Sequence, residues 1–326
     1  MRPLLFSTPD HAALATSVRA ACGMDEGVTT REFFPDGECH QRIETTVDGR
    51  DVVLIAPATD DASTARLFDT CCAIASLGAT SLTLVLPYFA YSTMDREACP
   101  GDVVTARTRA LLLSNVLRPP GGLRVLLIEP HTDALRFYFA PHARTGVVDV
   151  SPTIERLCRD AGGAEFVMAS TDAGRVKAVQ RLAERLSVPA AIAHKQRLGP
   201  ARTRVVALLG DVRGRRVVIY DDMVRSGSSL LGAARACLDA GATCVSAVVT
   251  HAVLPKDSLD RIRATGLIER LAATDTHPAA ARLAGGFLRV ESIASDVSAA
   301  LGGHPRPAVT SHGVETPGTS PGIVDA

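Results

Sequence analysis

One unit is written twice in this chain. "GRDVVLI", from Gly49, leads through a helical segment to "LGATSLTLVLPYF", and "GRRVVIY", from Gly214, leads through another to "AGATCVSAVVTHAV". The intervals Gly49 to Gly78 and Gly214 to Gly241 are nearly equal. A strand, helix, strand unit repeated half a chain apart is most economically two copies of one fold. At 326 residues the chain also exceeds what a single core usually organises.

Other short β-branched runs fit the same scheme: "LRVLLIEP" at 123, "EFVMAS" at 165 and "PAAIAHK" at 189. Between the runs lie segments of helical periodicity, among them "DASTARLFDTCCAIASLG", "SPTIERLCRDAGG", "AGRVKAVQRLAERLS" and "SGSSLLGAARACLDAG". The alternation predicts an α/β protein of two similar domains, each a mainly parallel sheet flanked by helices. "APHARTGVVDVS" interrupts the periodicity, so the domains are expected over 1–145 and 146–301. Residues 302–326, rich in Pro, Gly, Ser and Thr, read as a disordered tail.

Composition limits the partners. Lys plus Arg equals Asp plus Glu at 35 each, so no global field draws the protein to nucleic acid or anionic lipid, and any anion site must be local. Eight cysteines show neither a C-x-x-C pair nor framework spacing, which reads as buried free thiols of a reducing cytosol. The absence of a long apolar core at the start, or of any run of about 18 apolar residues, argues against secretion and membrane spanning. A cytoplasmic protein is expected.

Parallel α/β sheets bind ligands at the carboxyl ends of their strands. In "VVIYDDMVRSGSSLLGAA" (217–234), Asp221 and Asp222 follow an apolar strand, and Ser226, Gly227, Ser228 and Ser229 lead into a helix. Free N–H groups, small hydroxyls and a Gly make a cradle for a phosphate monoester. Carboxylates just upstream repel that anion unless they face something else. A ribose 5-phosphate satisfies both, its 2- and 3-hydroxyls donating to the carboxylates directly or through Mg²⁺. The plain alternative is a capped helix with its Asp residues solvated.

This stretch resembles the phosphoribosyl diphosphate motif shared by type I phosphoribosyltransferases and ribose-phosphate pyrophosphokinases. "REFFPDGECHQRI" (31–43), "LPYFAYSTMDREACPGDVVTARTRALLLSNVL" (86–117), "LLIEPHTDALRFYF" (126–139) and "VMASTDAGRVKAVQRLAERLSVPAAIAHKQR" (167–197) are similar to the pyrophosphokinases, in the same order. The resemblance implies transfer of the diphosphoryl group of ATP to the 1-hydroxyl of ribose 5-phosphate, giving 5-phosphoribosyl 1-diphosphate and AMP. It implies that His131 meets Mg²⁺-ATP and that Asp172 is the second metal-associated carboxylate. Lys195 and Arg197 would belong to a flap closing on the transferring phosphates. Phe34, Asp36 and Glu38 would reach the adenine of a neighbouring subunit, Phe34 stacking and Glu38 accepting from the amine. Asp95 and Arg96 fit the nucleotide-binding segment. A homo-oligomer built of dimers, assembled into hexamers, follows from the same resemblance.

Three departures stand beside these matches. Thr93 and Met94 replace the family's usual Arg-Gln, Glu129 stands for an Asp, and Arg225 for an acidic residue. Losing an Arg near a triphosphate removes a contact worth roughly 1.5 to 3 kcal/mol. Control by phosphate or ADP is therefore not carried over. Two other readings stay open: a regulatory paralogue that assembles with an active synthetase, for which Thr93 and Met94 speak, and a phosphoribosyltransferase, for which only residues 214–254 speak.

Overall fold

Runs that bury both faces of a strand pair in parallel beneath helices, and this chain makes two such sheets. The computed structural model describes residues 1–139, 143–199, 202–255 and 257–302, and of 194–207 only the backbone. The flap side chains of Lys195 and Arg197, and the tail beyond Gly302, lie outside the described residues.

The first half supplies β1 (Leu4–Ser7), β2 (Asp25–Glu26), β3 (Thr29–Phe33), β4 (Cys39–Ile43), β5 (Asp51–Ile55), β6 (Ser81–Leu86), β7 (Leu123–Ile128) and β8 (Arg144–Val148). Six of these form a parallel sheet in the order β2-β1-β5-β6-β7-β8. β3 and β4 pair antiparallel in a separate hairpin. The second half supplies β9 (Val167–Ser170), β10 (Ala190–Gly199), β11 (Arg202–Leu209), β12 (Arg216–Val224), β13 (Cys244–Ala252), β14 (Leu271–Thr274) and β15 (Leu288–Glu291). They form a sheet in the order β11-β10-β9-β12-β13-β14-β15, parallel except for β10 with β11.

Helices α1 (Ala12–Cys22), α2 (Asp61–Ser76), α3 (Thr105–Ser114) and α4 (Ala134–Phe139) belong to the first half. α5 (Ser151–Gly162), α6 (Val176–Leu186), α7 (Ser228–Asp239), α8 (Ser258–Ala264), α9 (Pro278–Leu283) and α10 (Ala294–Gly302) follow. None of the described helices is long and apolar enough to cross a membrane.

The two copies superpose residue by residue in their registers. Ser7 of β1 pairs with Ile55 of β5, as Ser170 of β9 pairs with Tyr220 of β12. Ile55 pairs with Val85 of β6, as Tyr220 pairs with Val248 of β13. β5 therefore corresponds to β12, and the two helices that follow, α2 and α7, correspond as well.

Two details depart from the sequence reading. Asp221 and Asp222 do not follow the strand but lie inside it, since β12 runs on to Val224 and stays paired with β13. A backbone ladder needs no apolar side chain, only room for its polar ones, and the crevice described below provides it. Residues 144–148, read as an interruption, form the edge strand of the first sheet. One core links both halves: Leu14 and Val18 of α1 share it with Val297 and Leu301 of α10, so the last helix packs against the first. All eight cysteines are free, but only Cys71, Cys158 and Cys237 are buried, and Cys99 is exposed.

Candidate functional site

A crevice of about 640 Å³ opens at the carboxyl ends of β9 and β12. Its walls come from both halves of the chain. Thr93, Arg96, His131 and Thr132 face it from the first, and Asp172, Arg175 and the segment Asp221–Leu230 from the second.

The phosphate cradle has a bare helix start. Gly227 is the N-cap of α7, at φ 82°, and no side chain caps that end. The contrast is α2, its counterpart in the first half, whose Asp60 and Ser63 form a reciprocal capping box. Apart from Ser228 N, which makes a long contact of 3.5 Å with Ser226 Oγ, the first N–H groups of α7 have no capping side chain and can meet an anion, with the hydroxyls of Ser226, Ser228 and Ser229 around them. A side chain at Gly227 would meet Ile262 Cγ1 at 2.5 Å, and its backbone conformation also favours glycine.

The acid pair is buried and asymmetric. Asp222 is 3% exposed at its side chain, and its Oδ2 lies 2.6 Å from His131 Nδ1 and 2.6 Å from Arg175 Nη2. Burial alone pushes the Asp222 carboxyl up, but His131 and Arg175 outweigh it and hold it below the usual range. Asp221 accepts from Thr171 Oγ1 at 2.8 Å, and Arg175 Nε is more distant, at 3.5 Å. Burial first, then the charge of Asp222, raises Asp221 to about 7. At neutral pH one carboxylate is fixed and its neighbour is poised to exchange a proton.

Arg175 also holds His131 in place. Its Nη2 also lies 3.1 Å from the His131 carbonyl and 2.8 Å from Nδ1. A guanidinium only donates, so Arg175 Nη2 donates to the His131 carbonyl and approaches Nδ1 as well, while it meets Asp222 as an ion pair. His131 Nδ1 thus lies between the Asp222 carboxylate and the Arg175 guanidinium, and Nε2 has no partner among the described residues. The hydroxyl of Thr132, next in the chain, is likewise buried without a hydrogen-bond partner.

The loop that carries His131 is tied across the halves. His251 Nε2 donates to the Glu129 carbonyl at 3.2 Å, and burial keeps the His251 ring neutral by lowering its pKa. Glu129 has φ 35°, a turn few non-glycine residues adopt, which redirects the chain from β7 to His131. Its carboxyl is pushed up by burial against a smaller opposing effect of Arg175. Arg225 Nη2 donates to Thr93 Oγ1 at 3.3 Å, so two of the three departures from the family pattern touch each other across the crevice.

Of the residues singled out from sequence, His131, Asp172, Arg96, Asp221, Asp222 and Ser226 to Ser229 meet here. The Asp residues are not solvated, so the plain capped-helix alternative fails. Asp172 does cap a short turn, accepting from Gly174 N at 2.9 Å, while its residue also lines the crevice. Asp95 is buried behind it and does not line it. Phe34, Asp36 and Glu38 form the exposed tip between β3 and β4, away from the crevice walls, with Asp36 Oδ1 accepting from Glu38 N at 2.9 Å. Arg175 was not singled out. Its local signal, a basic residue three positions after Asp172, is indistinguishable from a solvated charge.

A divalent cation is tested by the donors present. Among the described residues no three His, Cys, Asp or Glu side chains converge on one point. Mg²⁺ is commonly held by one or two carboxylates together with substrate phosphates and water, and does not require such a cage. The Asp172 carboxylate and the free His131 Nε2 on the crevice wall fit that mode.

Comparison with known proteins accords with the geometry. Residues 4–116 match the family described as the N-terminal domain of ribose phosphate pyrophosphokinase, and 149–277 match the phosphoribosyl transferase domain. A ribose-phosphate pyrophosphokinase of Synechococcus elongatus is 32% identical over 84% of this chain and 82% of its own. One from Gloeobacter violaceus is 30% identical over 91% and 88%. The crystal structure of phosphoribosylpyrophosphate synthetase from Mycobacterium smegmatis superposes with a TM-score of 0.80 at 25% identity, covering 92% of this chain and 98% of that one.

Proposed function

Since the chain belongs to the ribose-phosphate pyrophosphokinase family, we propose that its crevice transfers the diphosphoryl group of ATP to the 1-hydroxyl of ribose 5-phosphate, releasing AMP. The observation that carries this reading is the uncapped, glycine-started α7 beside a buried acid pair. The helix start and its serines hold the 5-phosphate, and Asp221 and Asp222 accept from the ribose hydroxyls, which orients the anomeric oxygen.

Phosphoryl transfer of this kind needs positioning and charge neutralisation more than covalent chemistry. Asp172 and His131 would hold Mg²⁺, which would supply charge neutralisation on the nucleotide phosphates. Arg96 and Arg225 flank the same space and add fixed positive charge. Asp221, whose carboxyl is raised to about 7, accepts a hydrogen bond from a ribose hydroxyl in its ionised form. Lys195 and Arg197, on the hairpin of β10 and β11, fit a flap that closes over the phosphates and excludes water. The exposed tip at Phe34, Asp36 and Glu38 fits an arm lent to a neighbouring copy, which makes the working unit an oligomer.

The test is AMP release from ATP, Mg²⁺ and ribose 5-phosphate by the assembled protein, in proportion to sugar. ATP left intact refutes the reading. Lys195→Ala is expected to lower turnover by two orders of magnitude or more, as loss of one transition-state donor does (about 10²- to 10³-fold), with little change in sugar binding; full activity would remove the flap from the mechanism.

A further inference from the structure

The duplication leaves a second cavity in the first half, at the register equivalent of the crevice. It has a volume of about 430 Å³ and lies at the carboxyl ends of β1 and β5, where the crevice lies beyond β9 and β12. β1 ends in Ser7, followed by Thr8 and Asp10; β9 ends in Ser170, followed by Thr171 and Asp172. By the shared register, Thr8 corresponds to Thr171, and Ala56 and Pro57 correspond to Asp221 and Asp222.

The chemistry of the two places differs in one respect. Thr171 donates to Asp221. Thr8 has no such acceptor, and its hydroxyl is buried without a hydrogen-bond partner. The acid pair that an anion would have to face in the crevice is absent here. The lining arginines come from three separate elements: Arg31 on β3, Arg66 on α2 and Arg282 on α9. Arg66 has no hydrogen-bond or ion-pair partner for its guanidinium among the described residues. Among the described residues Arg282 meets only Asp10, at 3.8 Å, and Arg31 donates to Gln41 Oε1 at 3.2 Å. His277, which also lines the cavity, is neutral at physiological pH because burial, with His251, Arg282 and His11, lowers it to about 4. Three arginines against Asp10 and Asp60 leave one net positive charge. The start of α2 is already satisfied by its capping box, so the side chains and not the helix end make the site.

From this juxtaposition we infer that the cavity between β1, β5 and α9 is a second phosphate site, which takes a phosphate monoester without a metal. Arg66 and Arg282 hold the phosphate, and the Asp10 carboxylate meets hydroxyls of the ester. Because Arg282 and His277 come from the second half, an occupant joins the two sheets.

Equilibrium dialysis and calorimetry with ribose 5-phosphate, glycerol 3-phosphate and inorganic phosphate test this on the full chain. Ser229→Glu places a carboxylate in the crevice cradle and is expected to abolish binding there while one equivalent of phosphate compound still binds. Adding Arg66→Glu is expected to weaken that remaining equivalent tenfold or more, as loss of one charge-assisted contact worth about 1.5 to 3 kcal/mol does. Arg66→Lys should largely restore it. Mutual displacement of the three probes in Ser229→Glu assigns an ester site, and binding of inorganic phosphate that the esters do not displace overturns the ester assignment. A Ser229→Glu protein that binds no probe, or an Arg66→Glu protein folded by circular dichroism whose affinity is unchanged, overturns the site altogether. Both readouts are of binding, so they stand apart from AMP release, on which the crevice reading depends.

Discussion

The guanidinium of Arg225 donates to the hydroxyl of Thr93 at 3.3 Å, joining the phosphate loop of the second half to a segment of the first. Both are positions at which the sequence departs from the resemblance drawn above, and the contact holds the Arg225 guanidinium against the wall that carries Thr93.

Exposed contacts of this kind add little to stability, at most about 1 kcal/mol. Their effect belongs to binding. Thr93→Ala and Arg225→Ala are each expected to unfold at nearly the parent temperature. Arg225→Ala should raise KM for ATP or ribose 5-phosphate about tenfold, in keeping with one lost charge-assisted contact. A double-mutant cycle on kcat/KM measures whether Thr93 orients it, and strict additivity would remove the coupling.

Arg175 neutralises Asp222 inside the crevice, with side chains 12% and 3% exposed. Removing one partner of a buried ion pair costs roughly 3 to 5 kcal/mol. Arg175→Ala should therefore lower stability in urea by that order. A divalent cation can replace the lost charge, so added Mg²⁺ should restore more stability to the variant than to the parent. Equal responses to Mg²⁺ would show that the carboxylates do not sense the guanidinium.

The raised Asp221 carboxyl has a defined sign in pH titration. Its folded pKa, about 7, exceeds the ordinary value of 3.8, so between those limits the folded protein binds the extra proton. Its contribution to stability is therefore full at low pH and is lost as pH rises from about 4 to about 7. His251 and His277, whose pKa values are lowered by burial, act oppositely, since they must charge when the chain unfolds in acid. The parent profile mixes both. Asp221→Asn isolates the acid: its stability relative to the parent should rise through that window and level off above it, as urea midpoints at a series of pH values will show.

Phe34 is 45% exposed at a hairpin tip, and Phe33 beside it is 60% exposed. Truncating Phe34 removes little packing from its own subunit. Phe34→Ala is expected to keep the parent melting temperature and lose ATP affinity. If the tip serves a neighbour, mixing Phe34→Ala with Lys195→Ala subunits should regenerate some active sites that neither homogeneous oligomer has. Activity no greater than the sum of the two would confine the tip to its own subunit.

The main strands and the cradle were legible because their signals are local. "DVVLI" and "RVVIY" advertise strands buried on both faces, and Gly227 with its flanking serines advertises a bare helix start. The short strands β1, β14 and β15, four residues each, carry too few positions for a period to emerge. The hairpin of β3 and β4 is largely exposed and so lacks an apolar face to read. Arg175 was illegible for a different reason: Asp222 reaches it from the neighbouring strand, 47 residues on in the chain, and His131 from the other sheet, so neither partner is a sequence neighbour. Likewise, the strand containing Asp221 was cut short because charge was read as the end of a ladder that continues.

The clasp between α1 and α10 has a consequence for how the molecule is made. A nascent chain displays Leu14 and Val18 on its first helix long before Val297 and Leu301 have been synthesised to cover them. The amino-terminal half thus leaves the ribosome with an unfinished seam that closes once residues 294–302 have been made. Any chimera that exchanges halves between relatives must carry residues 294–302 with the amino-terminal partner they seal.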